Sequence, residues 1–339
     1  MNKKHLVFLC ACAVGSIYSF SISEPVFHDG KIQAPQKQIW IDADLAVGMK
    51  RIGRPGYSDV DDGYAIAQLM KSESVNILGV SAVFGNTSVE NADSLLGVMN
   101  SFSPTNNIPV YRGAANAIDL SNVKTNPAVE ALAKELKNQR LTILAIGPAT
   151  NVGILLLKYP ELGNQIDEVI LVAGRRSADD YFKIGDQGRR APDLNFDLDN
   201  DAFRLLFQHE IPVTLCPFEI SNKVWIGERE LDLLARGDKT SSWLAKHSQP
   251  WLSQWIAQGE DGFNPFDALA SHYLIAPEDI ISEPLKAHLE IHRNDMISEN
   301  QTEVFKQYLI CDTTEGHPVK YCYGVSPNFE EKLLESLLK

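Results

Sequence analysis

Ile39-Trp40-Ile41-Asp42-Ala43-Asp44, followed after a loop by Asp59-Val60-Asp61-Asp62-Gly63 and then Ala65-Ile66-Ala67-Gln68-Leu69, sets an apolar run directly against carboxylates. The apolar run predicts a buried strand ending at Asp42, and Ala65 to Leu69 predicts the helix that follows. The acids therefore crowd one strand-to-helix mouth. Two carboxylates ~4 Å apart repel by roughly 4 kcal/mol at an effective dielectric of 20, a sizeable share of a domain's net stability. A cation would relieve this, and all-oxygen ligation favours Ca²⁺ or Mg²⁺ over zinc. Asp59 or Asp61 alone could serve as a helix cap, but a cap needs one side-chain oxygen and this segment offers several.

Further apolar runs recur with helical segments between them: Ile77 to Phe84, Thr142 to Ile146, Glu168 to Val172 and Pro212 to Leu215. This alternation predicts a Rossmann-like α/β fold, a mostly parallel central sheet flanked by helices. In such sheets ligands bind beyond the carboxyl ends of the strands. The runs end in residues able to bind and react there, namely Asp42 and Asp44, Gly85-Asn86, Gly147-Pro148-Ala149-Thr150-Asn151, and Gly174-Arg175-Arg176. Phosphate-loop and dinucleotide glycine fingerprints are absent, as are Gly-x-Ser-x-Gly and His-Glu-x-x-His.

With 339 residues and 44% hydrophobic content the chain can bury a large core. A formal charge of -13 argues against nucleic acid or an anionic membrane as partner and leaves small molecules. Met1 to Ser23 reads as an export signal: Lys3 and Lys4, an apolar run from Leu6 to about Tyr18, then small residues. That run is too short for a stable membrane span. The expectation is a periplasmic or secreted protein with one domain over residues 24–339, its sheet starting near Gln38. Cys12 faintly matches a lipoprotein processing site. Cys311 and Cys322 flank a turn-like segment, which predicts a hairpin disulfide, and Cys216 reads as a buried small hydrophobe.

In this order, the motifs resemble the inosine-uridine preferring nucleoside hydrolase family over nearly the whole mature length. Asp42-Ala43-Asp44 with Asp61-Asp62 looks like that family's opening acidic cluster, here split by the longer loop Leu45 to Val60. Val83-Phe84-Gly85-Asn86 is similar to its Gly-Asn, and Ala145 to Asn151 to its Thr-Gly-Pro-x-Thr-Asn turn. Asp193-Leu194-Asn195-Phe196-Asp197 resembles its Glu-Phe-Asn-x-x-x-Asp stretch, and Pro265-Phe266-Asp267-Ala268-Leu269 its late His-Asp-Pro-x-Ala element.

The resemblance implies hydrolysis of the N-glycosidic bond of ribonucleosides to ribose and base. It implies Ca²⁺ held by Asp44, Asp62 and Asp267 with the Ile146 carbonyl, and Asp44 as general base on the metal-bound water. Asp61, Asn86, Asp193 and Asn195, with Gln187 as a further candidate, would grip ribose hydroxyls. A homodimer or homotetramer is the family expectation. The sequence departs at Phe266, where several family members carry a histidine that protonates the departing base. Trp251, Trp255, Tyr181 and His247 are then candidates to face or activate the base, while His272 reads as structural. Two other classes compete: an exported nucleoside- or sugar-binding protein without catalysis, and a metal-dependent phosphohydrolase with Asp42 or Asp44 as nucleophile and Lys223 as a phosphate ligand.

Overall fold

A computed structural model describes residues 35–102, 108–186, 188–296 and 304–339, with the backbone of two short strands nearer the N-terminus. Met1–Pro35 is one unit, in which Phe27–His28 pairs antiparallel with Lys31–Ile32. The expected export signal and Cys12 lie outside the described residues.

The second unit, Gln36–Lys339, is built on nine strands. In chain order they are β1 (Lys37–Ala43), β2 (Val75–Ala82), β3 (Val110–Arg112), β4 (Leu141–Ala145), β5 (Ile166–Leu171), β6 (Val213–Leu215), β7 (Ile280–Arg293), β8 (Phe305–Asp312) and β9 (His317–Val325). Across the sheet they lie in the order β8-β7-β9-β6-β5-β4-β1-β2-β3. Every pairing from β9 to β3 is parallel, and β7 runs antiparallel to both its neighbours. The expected mostly parallel sheet is present, and each predicted strand lies on an observed one.

Period-two alternation in β1 explains why its sequence is so apolar. Ile39, Ile41 and Ala43 enter the core on one face of the sheet, and Trp40 enters the core on the other. A strand covered on both faces has no solvent side on which to place charge, so Asp42 within it is buried on hydrogen bonds from Ser81 and Asn151, and Asp44 comes just after its end.

The helix Asp61–Lys71 is buried along its length from Asp61 to Leu69 and packs on the helix Phe266–Ile275. Polar atoms set the pair in register: Ser271 Oγ donates to Gln68 Oε1 at 2.6 Å, and Gln68 Nε2 meets His272 Nδ1 at 2.9 Å. His272 is thereby consumed in structure. The first turns of the two helices, carrying Asp61, Asp62 and Asp267, come side by side. Gly63 lets the first turn of Asp61–Lys71 pack against Val47 and Leu244, because a Cβ there would lie 2.6 Å from Val47 and 2.7 Å from Leu244.

The expected disulfide is a correction. Cys311 and Cys322 sit on β8 and β9, but β7 lies between those strands. Two strand spacings of about 4.8 Å each exceed the ~7 Å Cα separation that a disulfide can bridge. The turn between the cysteines looked like a hairpin, yet the antiparallel partner of both strands is the earlier β7. Cys322 instead neighbours Cys216, one residue beyond the parallel pair Leu215↔Tyr321, and all three thiols are free and buried. Among the described residues no helix is long and apolar enough to cross a membrane.

Candidate active site

A cavity of about 770 Å³ opens beyond the carboxyl ends of β1, β2, β4 and β5. Its floor is acidic. Carboxylate oxygens of Asp61, Asp62 and Asp267 all lie within 4.8 Å of one another, and all three residues are buried. Asp44, fully buried, joins this triplet from the end of β1: its N–H donates to Asp62 Oδ1 at 3.0 Å, and its Oδ2 accepts from the Asn86 N–H at 2.5 Å. Burial drives every carboxyl here upward, Asp61 to about 6 and Asp44 to about 7, with the charge of Asp61 adding to the rise at Asp44. Asp62 and Asp267 are held well above the ordinary range by burial first and by their neighbours' charges second.

Four mutually repelling acids in a dry site need something the protein does not supply. Asp44 Oδ1 and Asp62 Oδ2 are buried and accept no hydrogen bond. Orphaned acceptors at this depth cost ~1–3 kcal/mol each, more when charged. A hard divalent cation fits: the donor set is all oxygen, and among the described residues neither His nor Cys joins the cluster. The Ile146 carbonyl faces the same cavity and accepts from Asn195 Nδ2 at 2.9 Å, which leaves its second lone pair free. Asp61, assigned by resemblance to the sugar, thus lies as close to this centre as Asp62 and Asp267 do.

Asp42 has a different place. It accepts from Ser81 Oγ and, at 2.7 Å, from Asn151 Nδ2, while Asn151 Oδ1 accepts the Ala114 N–H at 2.9 Å. Through Oδ1 it braces three strand ends, and its Oδ2 is buried without a partner.

Gly85 is required by close approach. A Cβ there would stand 1.9 Å from Asp44 Oδ2. Gly85→Ala should therefore displace Asp44 and weaken divalent-ion binding by about tenfold or more, about 1.4 kcal/mol, as read by calorimetric titration with Ca²⁺. Unchanged affinity would show that Asp44 has no part in holding the ion.

Asn86, Asp193 and Asn195 all line the cavity. Asn195 spends both Nδ2 hydrogens on the carbonyls of Ile146 and Val172, at 2.9 and 3.1 Å, so its Oδ1 remains as an acceptor. Asp193 accepts the Gly174 N–H at 2.8 Å, and burial lifts it to about 6 against the opposing charge of Arg175. Gln187 lies outside the described residues. One wall is aromatic: Phe182, Phe218, Trp251, Trp255 and Phe266. Phe182 meets Phe266 edge-on at 5.4 Å, and Trp251 meets Trp255 edge-on at 6.1 Å. The Trp251 indole N–H is buried without a partner.

Not every candidate arrives. Tyr181 is not among the cavity-lining residues; its ring carries the Arg190 guanidinium at 3.8 Å. His247 also falls outside the lining, beside Trp243, and Lys223 is exposed elsewhere. Sequence reasoning missed Phe182 and Phe218, whose short segments carry no periodicity, and Asn151 as a brace. It also missed Arg51 and Arg54, although the lengthened loop that bears them was itself visible.

A family model described as inosine-uridine preferring nucleoside hydrolase matches residues 39–328. The chain is 26% identical over 250 residues to a non-specific ribonucleoside hydrolase of Salmonella paratyphi B, covering 65% of this chain and 76% of that protein. A counterpart from Salmonella typhi has the same identity and coverage. Among solved structures, a plant nucleoside hydrolase superposes with a TM-score of 0.68 at 16% identity, covering 90% of this chain and 98% of that one. A purine-preferring ribonucleoside hydrolase from Gardnerella vaginalis does so with a TM-score of 0.68 at 18% identity, covering 89% and 98%. At those identities the structural likeness is one of fold. The match over residues 39–328 identifies the family: this chain belongs to the inosine-uridine preferring nucleoside hydrolases, enzymes that act on N-glycosyl bonds.

Proposed function

We propose that this protein is a Ca²⁺-dependent ribonucleoside hydrolase that releases ribose and free base by direct attack of water. The observation that carries the reading is the convergence of Asp44, Asp61, Asp62 and Asp267 beneath a cavity with one aromatic wall. Held by these carboxylates and the Ile146 carbonyl, Ca²⁺ would cancel the cluster's charge and bind a sugar diol and the attacking water side by side.

The chain's own residues do the rest. Asp44 takes the proton from the attacking water, a role that its place at the end of β1 beside Asp62 allows. Asn195 Oδ1, Asn86 and Asp193 receive ribose hydroxyls. As the glycosidic bond lengthens, positive charge grows on the ribose, and these fixed oxygens stabilise it more than they stabilise the bound nucleoside. Phe266, backed by the buried Trp255, supplies a stacking face for the base, and the unpartnered Trp251 N–H is a donor for it. With phenylalanine at position 266, base activation rests on this wall.

The test is release of reducing sugar from a panel of purine and pyrimidine nucleosides with Ca²⁺ present. Binding without release would replace this reading with the non-catalytic one. The phosphohydrolase class has no support, since the family match is to nucleoside hydrolases and Lys223, its phosphate ligand, stands away from the cavity. Export and assembly into a dimer or tetramer belong to the same proposal. N-terminal sequencing of the mature protein and sedimentation analysis test them.

A further inference from the structure

The rim of the cavity has the opposite sign from its floor. Of the carboxylates lining the cavity, Asp61 and Asp267 belong to the acidic floor and Asp193 to the sugar-contact group, while Asp59 sits beside Asp61 and its charge also reaches Arg51. Four arginines also line it: Arg51 and Arg54 from the lengthened loop, Arg189 and Arg190 from the short strand Arg189–Ala191. Arg54, Arg189 and Arg190 are exposed and Arg51 is half-buried, which places them at the opening.

None of the four has a carboxylate within ion-pair distance among the described residues, whereas Arg112, Arg140, Arg175, Arg176 and Arg204 each do. Arg51 lies over the Trp251 ring at 5.5 Å, Arg189 reaches only Gln258 Oε1 at 3.4 Å, and Arg190 reaches the Asp295 carbonyl at 3.1 Å. They are also close enough to repel: after burial, the charges of Arg54 and Arg189 lower the proton affinity of Arg51, and the charge of Asp59 opposes them more weakly. A chain with a formal charge of -13 thus gathers four guanidinium groups, none in an ion pair among the described residues, at the opening of one cavity.

Both rim segments are fixed to the end of one helix, Lys239–Ile256, and the residues after it. The Tyr57 N–H donates to Gln254 Oε1 at 2.7 Å, the Asp186 N–H to the Gln258 carbonyl at 3.1 Å, and the Gly185 N–H to Glu260 Oε1 at 2.6 Å. The arginines are therefore presented on anchored backbone from two chain segments that meet at one helix end.

We propose that the substrate of this cavity is a ribosyl compound bearing an oxyanion group, a phosphate or a carboxylate, which the arginine rim holds while the uncharged sugar hydroxyls meet the floor. This rests on the hydrolase reading and narrows its substrate class. Guanidinium forks match phosphate and carboxylate oxygens in pairs. The acidic floor rejects the same group, so the charge pattern fixes which end of the substrate enters first. Rim cations also draw anions in, an effect that salt weakens.

The experiment measures kcat/KM of the Ca²⁺-loaded full chain for inosine against inosine 5′-monophosphate, which carries the anion on the sugar. It does the same for uridine against orotidine, which carries it on the base. Calorimetry of ribose and ribose 5-phosphate gives a readout that needs no turnover. At least one anionic compound should exceed its neutral counterpart by about tenfold or more, and the pair that shows this identifies the source of the anion. That ratio should fall by about tenfold in the Arg51→Ser/Arg54→Ser and Arg189→Ser/Arg190→Ser proteins, and in the wild type on passing from low to high salt.

Equal or better use of both neutral nucleosides overturns the inference and leaves the hydrolase reading standing. So does an anion preference that neither double variant nor salt reduces; the arginines would then serve only the helix end they adjoin. If no nucleoside is cleaved the hydrolase reading fails, and the two sugars decide the rim alone: equal binding of ribose and ribose 5-phosphate overturns it. Should both double variants fail to fold, the wild-type salt dependence decides, and a salt-insensitive ratio overturns it.

Discussion

Asp44→Asn protein is expected to lose roughly 10²–10⁴-fold in kcat, the usual worth of a general base, and yet to be more heat-stable than the wild type when both are stripped of metal. The two effects have one origin. Asp44 is fully buried with Oδ1 unpartnered, and it faces the charges of Asp61 and Asp62. A neutral amide of the same shape can still accept the Asn86 N–H through its oxygen, and its NH₂ turns a repulsion into a donor. What it cannot do is take a proton from water. Steady-state kinetics with Ca²⁺ and thermal melts in chelator measure both halves. Turnover within about tenfold of wild type would remove Asp44 from the role of base. A lower melting temperature in chelator would show that the cluster is not under electrostatic stress.

Metal removal should have the second large effect, and its pH dependence has a definite sign. In the metal-free protein Asp61 titrates at about 6 and Asp44 at about 7, while Asp59, Asp62 and Asp267 are raised well above 3.8. Folded-state values above the unfolded ones mean that the native state holds these protons more tightly. All these contributions are fully present below the unfolded value of 3.8, and those of Asp61 and Asp44 are lost as pH rises through about 6 to 7. The chelated protein should therefore melt progressively earlier from acid to neutral pH.

Bound Ca²⁺ reverses the trend, because it competes with those protons and binds only the carboxylates. At neutral pH, Ca²⁺ at about 100 times its dissociation constant adds about 2.7 kcal/mol, or roughly 5–10 °C in melting temperature. That increment should shrink toward pH 4. Differential scanning calorimetry with and without Ca²⁺ across this range is the check. An increment that does not change with pH would mean the ion binds elsewhere.

The strand runs and the acidic segment were legible because they are local. A doubly covered strand must be apolar on both faces, so β1, β2, β4, β5 and β6 announced themselves. Charge at the very end of such a strand and just beyond it, as at Asp42 and Asp44, has few explanations other than a brace or a site. The resemblance reached Asp267 through a short motif, without showing why a residue two hundred positions away should matter.

Tertiary structure supplied that reason: Gln68, Ser271 and His272 lock two helices together, and their first turns bring Asp61, Asp62 and Asp267 within 4.8 Å. It also decided what local pattern could not. The order of strands is a long-range matter, and so the turn between Cys311 and Cys322 misled, because β7 had already taken the place between β8 and β9. Phe182, Phe218 and the four rim arginines come from short irregular segments whose place around the cavity follows only from the packing of the elements that carry them. What each residue prefers was written along the chain; which residues face one another depended on how the chain closed over its sheet.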